Sequence, residues 1–397
     1  MTSLVLVLAA ASGLAQNIVL QTGTMLDGKG KIHKNQQIVI DGSRIKSVGA
    51  GKLAATYDLR GLTVMPGWID THVHLSWHFD ASNRLETGGA NSKEKPETTI
   101  LYAAGNAWST LQGGFTTVQS LGAPIDAEIR DMIARGTLPG PRVLTSLGQL
   151  NERSGDAEAL RQAVRAFKDR GADVIKLFAT KSIREGGAQT MTDEQLEAAC
   201  GEARKIGLRT VVHAHAAGGA KAAALAGCTA VEHGAFLDDA TLDLLRDRGV
   251  YFDPNFLVLH NYLDNKPNFA GIGNYNEAGF QSMQEVLKPL NAVVQNARKH
   301  KVKIVFGTDA VAGAHGRNAE EFVYRVRDAG MPPMEALVGA NSIAAESLGM
   351  ADSIGTIATG FEADLIAIDG NPLEDITAVR RVVFVMKGGK VYKNVAR

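Results

Sequence analysis

The chain has 397 residues, and its 42 lysines and arginines balance 42 aspartates and glutamates. That balance excludes the basic field needed to hold nucleic acid or an anionic membrane, and points to a small, roughly neutral substrate. The length suits one barrel of about 250 residues plus a smaller appended domain, and the two cysteines, Cys200 and Cys228, read as small buried hydrophobes rather than a disulfide framework.

Residues 1–16, MTSLVLVLAAASGLAQ, form an apolar run ending in small residues, with Gly13 and Ala15 spaced as a signal-peptidase site requires. The segment resembles an export signal, although the usual preceding positive charge is missing. A periplasmic or secreted mature protein is the expectation, with a cytoplasmic one if the segment is retained. No stretch approaches 18 consecutive apolar residues, so no membrane span is expected. From Ile18 to Val64 short β-like runs alternate with turn residues, as in QQIVIDGSRIKSVG, where Asp41 and Gly42 mark a hairpin.

The texture then changes to strands of about five residues alternating with helical stretches, the mark of βα units and a parallel sheet. The strand candidates are GWIDTHVHL, FTTVQSL, RVLTSL, DVIKLFA, RTVVHAH, AVEHG, YFDPNF and KIVFGTDA. Among the helical stretches, TDEQLEAACGEARKIG opens with Thr192 and Gln195 at capping-box spacing. No glycine-rich phosphate fingerprint follows the first strand, which disfavours an open doubly wound sheet. The expected fold is therefore α/β, a (β/α)8 TIM barrel over residues 66–354. The β texture returns in ADLIAIDG and VVFVMKGGKVYK, with Gly388 and Gly389 at a tight turn. Residues 17–65 and 355–397 are expected to form one β-sandwich domain from both termini.

His72 and His74 lie two apart in a strand-like run, so their imidazoles share a face and can converge on one metal ion. Lys176 sits inside VIKLFA, where a lysine is costly to bury without a partner or a modified, chargeable form. His213, His233 and Asp309 each end a strand candidate, the position at which barrel enzymes place their catalytic groups. Any one of these could be a satisfied polar residue; their joint occurrence argues for a site.

In order along the chain, PGWIDTHVHL, VIKLFA, VVHAHA, VEHG and GTDA resemble the amidohydrolase superfamily over nearly the whole mature length. The resemblance implies two divalent metal ions, zinc by preference, held by His72, His74, Lys176, His213, His233 and Asp309. His215 is the alternative to His213, which is preferred because related sequences read HAY or HAH there. Carbamylated Lys176 would bridge the metals, a metal-bound hydroxide would attack, and Asp309 would move the proton to the leaving nitrogen.

Within the superfamily, VIKLFAT, VEHG and GTDAVAGAHGRNAEEF are most similar to the imidazolonepropionase-related branch. That branch contains Xaa-Pro dipeptidases, amino-acid carboxypeptidases and ochratoxin-hydrolysing amidases. The implied reaction is cleavage of an amide to a C-terminal amino acid in a dipeptide, an N-acyl amino acid or ochratoxin A; the implied assembly is a homo-oligomer. Candidate substrate-binding residues are His215, His315, Arg317, His260 and Tyr262, with Arg317 as a carboxylate clamp. His78, beside Trp77 and Phe79, suits a packed wall, and His33 and His300 carry no expected role. Rival readings are a lactonase or esterase on the same metals, a mononuclear deaminase-type hydrolase, which would not need Lys176, and a catalytically dead binding relative.

Overall fold

The computed structural model describes residues 17–88, 92 and 94–395; the export-signal reading of residues 1–16 lies outside the described residues. The two ends of the chain share one eight-stranded sheet. Strand Ile18–Leu26 pairs antiparallel with Gln37–Asp41 and parallel with Tyr57–Pro66. Tyr57–Pro66 in turn pairs antiparallel with Leu365–Ile368, followed outward by Val382–Lys387 and Lys390–Asn394.

The strands expected to form the terminal β domain hydrogen-bond into one continuous sheet. The reason is the long strand Tyr57–Pro66, which binds the N-terminal strands along one edge and the C-terminal strands along the other. Its side chains and theirs bury a separate core around Leu20, Ile38, Leu59, Leu365, Phe384 and Met386. The expected hairpin turns are present: Gly42 has φ 60°, and Gly388 and Gly389 have φ 54° and 75°, the left-handed backbone of a tight primed turn.

Apart from a short antiparallel pair, His78–Phe79 with Leu85–Glu86, the remaining strands are parallel. Trp68–Val73, Phe115–Ser120 and Arg142–Thr145 form a three-stranded sheet. Gln149–Leu150, Val174–Phe178, Arg209–Ala216, Ala230–Phe236 and Tyr251–Asp253 form a five-stranded one. The segment expected as the last strand, KIVFGTDA, is irregular and bonds to both sheets. Phe252 bridges Ile304 in one sheet, and Val73 bridges Ala310 in the other. Helices such as Pro96–Gln112, Ala157–Asp169, Asp193–Lys205 and Glu277–Lys299 connect the strands. Thr192 and Gln195 close the expected capping box.

Cys200 and Cys228 are buried, as expected, but they are joined in a disulfide. Cys200 lies on the helix Asp193–Lys205, which packs against the next helix, Ala217–Leu225. Cys228 follows that second helix in the turn before Ala230–Phe236, so the layering brings the two Cα atoms to 5.2 Å. No helix among the described residues is long and apolar enough to cross a membrane.

Candidate metal centre

All six residues expected as ligands converge where the parallel strands end. His72 and His74 reach the same carboxylate, with Nε2 atoms 3.3 and 3.0 Å from Asp309 Oδ1. These three offer ligand atoms within 4.8 Å of one another, and so do His213, His215 and His233. The groups adjoin: the rings of His72 and His233 are 5.5 Å apart, and Lys176 Nζ lies 3.4 Å from His72 Nε2. His213 and His215 were alternatives for one position, and the structure brings both beside His233, with ring centroids at 4.5 and 4.9 Å. Residues two apart on one strand share a face, so His215 follows wherever His213 points.

The backbone aims two of these groups. His233 has φ 68° and Asp309 φ 51°, a left-handed conformation that costs non-glycine residues roughly 1–3 kcal/mol and persists only where surroundings impose it. Side-chain hydrogen bonds impose it on the irregular segment that carries Asp309. Asp70 accepts from Thr308 Oγ1 at 2.6 Å and Asn318 Nδ2 at 2.8 Å. Asp253 accepts from Gly307 N at 2.7 Å and Thr71 Oγ1 at 2.6 Å. Gly307 is required there, because a Cβ would stand 2.0 Å from Asp253 Oδ2 and 2.9 Å from His72 Cβ. Behind Asp253, fully buried Arg325 donates to it, to Glu321 and to the carbonyls of Pro254 and Gly307.

Burial sets the protonation states. It drives His72, His213 and His233 well below the ordinary imidazole value, reinforced by the neighbouring charge of Lys176. Burial likewise brings His215 down to about 3, helped by Arg184. Neutral imidazoles are the form a metal binds. For Asp309 burial raises the pKa, but His72, His74 and Lys176 outweigh it and hold the carboxyl ionised. Burial lowers Lys176 despite the opposing charges of Glu232, Asp309 and Asp253. Glu232, which the sequence reading does not single out, lies against His72 Nδ1, and burial pushes it up to about 7. His74 Nδ1 and His215 Nδ1 are buried without a hydrogen-bond partner among the described residues. Deprotonated imidazoles, one ionised carboxylate and unpartnered ring nitrogens fit divalent cations of the zinc type.

The cluster floors a cavity of about 220 Å³ that is also lined by Trp77, Gln149, Phe178, Arg184, Tyr262 and Tyr275. Of the residues expected to bind substrate, His215 and Tyr262 line it. The structure does not bring the other three there. His315 sits behind the wall, its Nε2 3.1 Å from the carbonyl of His74. His260 stacks on Tyr324 at 3.9 Å. Arg317 turns away to ion pairs with Asp264 at 2.9 Å and Glu320 at 2.8 Å, at a different surface cleft. His78, held by Ser76 and Glu94 and stacked on Tyr102, belongs to the packing. Trp77, beside it in sequence, faces the cavity.

Residues 63–392 match the amidohydrolase family. Ochratoxinase of Aspergillus niger is 29% identical over 439 aligned residues, covering 97% of this chain and 88% of that protein. Imidazolonepropionase of Pseudomonas fluorescens (strain Pf0-1) is 25% identical, covering 87% of this chain and 90% of that protein. The crystal structure of a Xaa-Pro dipeptidase with methionine bound in its active site superposes with a TM-score of 0.86 at 31% identity, covering 96% of this chain and all of that one. With its clustered histidines and aspartate, this chain belongs to the amidohydrolase family and is a hydrolase acting on amide bonds.

Proposed function

We propose that the protein is a binuclear metal-dependent amidohydrolase that releases a C-terminal amino acid from a dipeptide or an N-acyl amino acid. The observation that carries this reading is the position of Lys176, a fully buried lysine beside His72 where two ligand clusters meet. Burial favours its neutral amine, the form that adds to carbon dioxide, losing one proton to give a carbamate. As a carbamate, Lys176 becomes an anion able to serve both clusters, the ordinary compensation for burying a charge. His72, His74 and Asp309 would then hold one ion and His213 and His233 the other, with zinc the best match to the donors. Bound metals would supply Lewis acidity and ionise a water near neutral pH.

The chain's own groups do the rest. Asp309, already ionised, is placed to take the attacking water's proton and pass it to the leaving nitrogen. Glu232 orients the His72 ring from behind, as carboxylate partners of metal-binding histidines do. Tyr262, held as the neutral phenol by burial, and His215 are placed to donate to or orient the substrate. A cavity of about 220 Å³ suits a dipeptide-sized molecule. Similarity to a Xaa-Pro dipeptidase and to ochratoxinase supports an amide whose nitrogen belongs to an amino acid.

In the same reading, residues 66–354 form a (β/α)8 barrel whose two parallel sheets are joined through residues 304–310, and residues 17–65 and 355–397 form the second domain. The Cys200–Cys228 disulfide supports export to an oxidising compartment. The test is free amino-acid release by zinc-loaded protein from Xaa-Pro dipeptides, N-acyl amino acids and ochratoxin A, with lactones as controls. Release abolished by a chelator supports the reading; hydrolysis of lactones alone overturns it.

A further inference from the structure

Among the described residues lining the metal-site cavity, Arg184 is the one arginine and Asp309 the one carboxylate. Arg184 belongs to the loop between the Lys176 strand and the helix Asp193–Lys205, in a single 3-10 turn, Ile183–Glu185. Two glycines with positive φ, Gly186 at 84° and Gly187 at 68°, then fold the loop back against the histidines. Contact is close, since a Cβ on Gly187 would stand 2.7 Å from His215 Cβ. The guanidinium lies over the ring of Tyr275 at 4.0 Å and near that of Tyr262 at 5.7 Å. Its Nε donates to Asn274 Oδ1 at 2.5 Å. Asn274 is itself fixed, because its Nδ2 donates to Glu185 Oε2 at 2.8 Å.

These contacts hold the cation without neutralising it. Among the described residues Arg184 makes no ion pair, whereas Arg317 makes two. Stacking on aromatic faces fixes the plane of the guanidinium and leaves its edge free. With Nε taken by Asn274, the terminal nitrogens are available to an outside acceptor. A half-buried arginine, oriented by neutral partners and facing a cavity, is a site for a planar anion that binds two donors side by side.

We propose that Arg184 binds the carboxylate of the amino acid that leaves, and so makes the enzyme select amides with a free C-terminal carboxylate. This rests on the amidase reading above and replaces Arg317 as the clamp. Anchoring that carboxylate on the Arg184 wall fixes one end of the substrate and directs the amide toward the histidine and aspartate floor. Arg184 then acts chiefly on KM and on substrate choice, not on the bond-breaking step.

The test compares wild type, Arg184→Gln and Arg184→Lys on paired substrates: the N-acetyl amino acid cleaved best by wild type and its neutral C-terminal amide. Wild type should prefer the acid. In Arg184→Gln the acid-to-amide ratio of kcat/KM should fall about tenfold to a hundredfold, mostly through KM, and Arg184→Lys should keep an intermediate preference, as a charged but not forked donor. Equal losses on acid and amide would mean that the residue only shapes the loop, and an unchanged ratio would mean that the carboxylate binds elsewhere; either overturns the proposal. Calorimetric binding of N-acetyl-L-phenylalanine and of its amide to the zinc-loaded protein gives a second reading. If wild type cleaves neither substrate, the amidase reading fails by itself. Selective loss of acid binding in Arg184→Gln would then still support the anion site, and equal binding would refute it.

Discussion

Replacing Arg325 with methionine keeps most of the side-chain volume and removes the charge that holds the back of the metal site. Arg325 is fully buried and pairs with Asp253 at 3.1 Å and Glu321 at 2.6 Å. Asp253 fixes Gly307 and Thr71, and Glu321 accepts from the backbone of Phe256 and Leu257, so neither carboxylate can move out to solvent. Removing one partner of such a buried pair costs about 3–5 kcal/mol, because the remaining charge is left uncompensated. At roughly 2 °C per kcal/mol for a large domain, the melting temperature should fall by about 6–10 °C. The loss has a pH signature. Burial already raises Asp253 and Glu321 to about 7, with Arg325 opposing. Without it both rise further, so the folded variant binds more protons than the unfolded chain above the ordinary carboxylate range. Its deficit should therefore grow from pH 5 to pH 8. Thermal unfolding of metal-free wild type and Arg325→Met across that range is the assay. A deficit below about 1 kcal/mol, or one that shrinks as pH rises, would refute the reasoning.

Lys176→Ala should lose most bound metal and nearly all activity; a variant that kept two metals and full turnover would exclude the bridging role. In His215→Asn the pH dependence of stability should change: a buried imidazole whose pKa falls from 6.5 to about 3 stays neutral when folded and protonates when unfolded. Below pH 6.5, wild type should therefore lose stability relative to the variant by about 1.4 kcal/mol per pH unit, read from paired denaturation curves of the metal-free proteins. The Cys200→Ala/Cys228→Ala double variant opens a link between residues 28 apart in sequence. Chain entropy gives a loss of about 3.5 kcal/mol, measured as a shift in the denaturation midpoint.

How far the sequence reveals this site depends on the range of the interaction. His72 and His74 are legible because a strand's two-residue period makes them neighbours whatever the fold, and Lys176 because an apolar strand has no reason to carry an unaided charge. Strand ends are local features too, which is why His213, His233 and Asp309 are recoverable. Arg184 and Arg317 look alike in sequence, each in a loop after a ligand-bearing strand; only the loop's path separates a cation facing the cavity from one committed to Asp264 and Glu320. The Cys200–Cys228 bond depends on which helices pack side by side. Glu232 was hidden by its neighbour His233, its partner being His72 on a distant strand. The eighth strand candidate reads as regular because KIVF is apolar, yet Asp70 and Asp253 hold it through side chains in place of a continuous ladder. The terminal β segments show their composition but not that Tyr57–Pro66 would join them edge to edge.

The most direct test of the central claim is amino-acid release during zinc titration of chelator-stripped protein, with the best-cleaved N-acyl amino acid as substrate. The account predicts that activity rises until two zinc ions are bound per chain and that Lys176→Ala shows no such rise. Full activity at one zinc per chain, or activity independent of added metal, would contradict it.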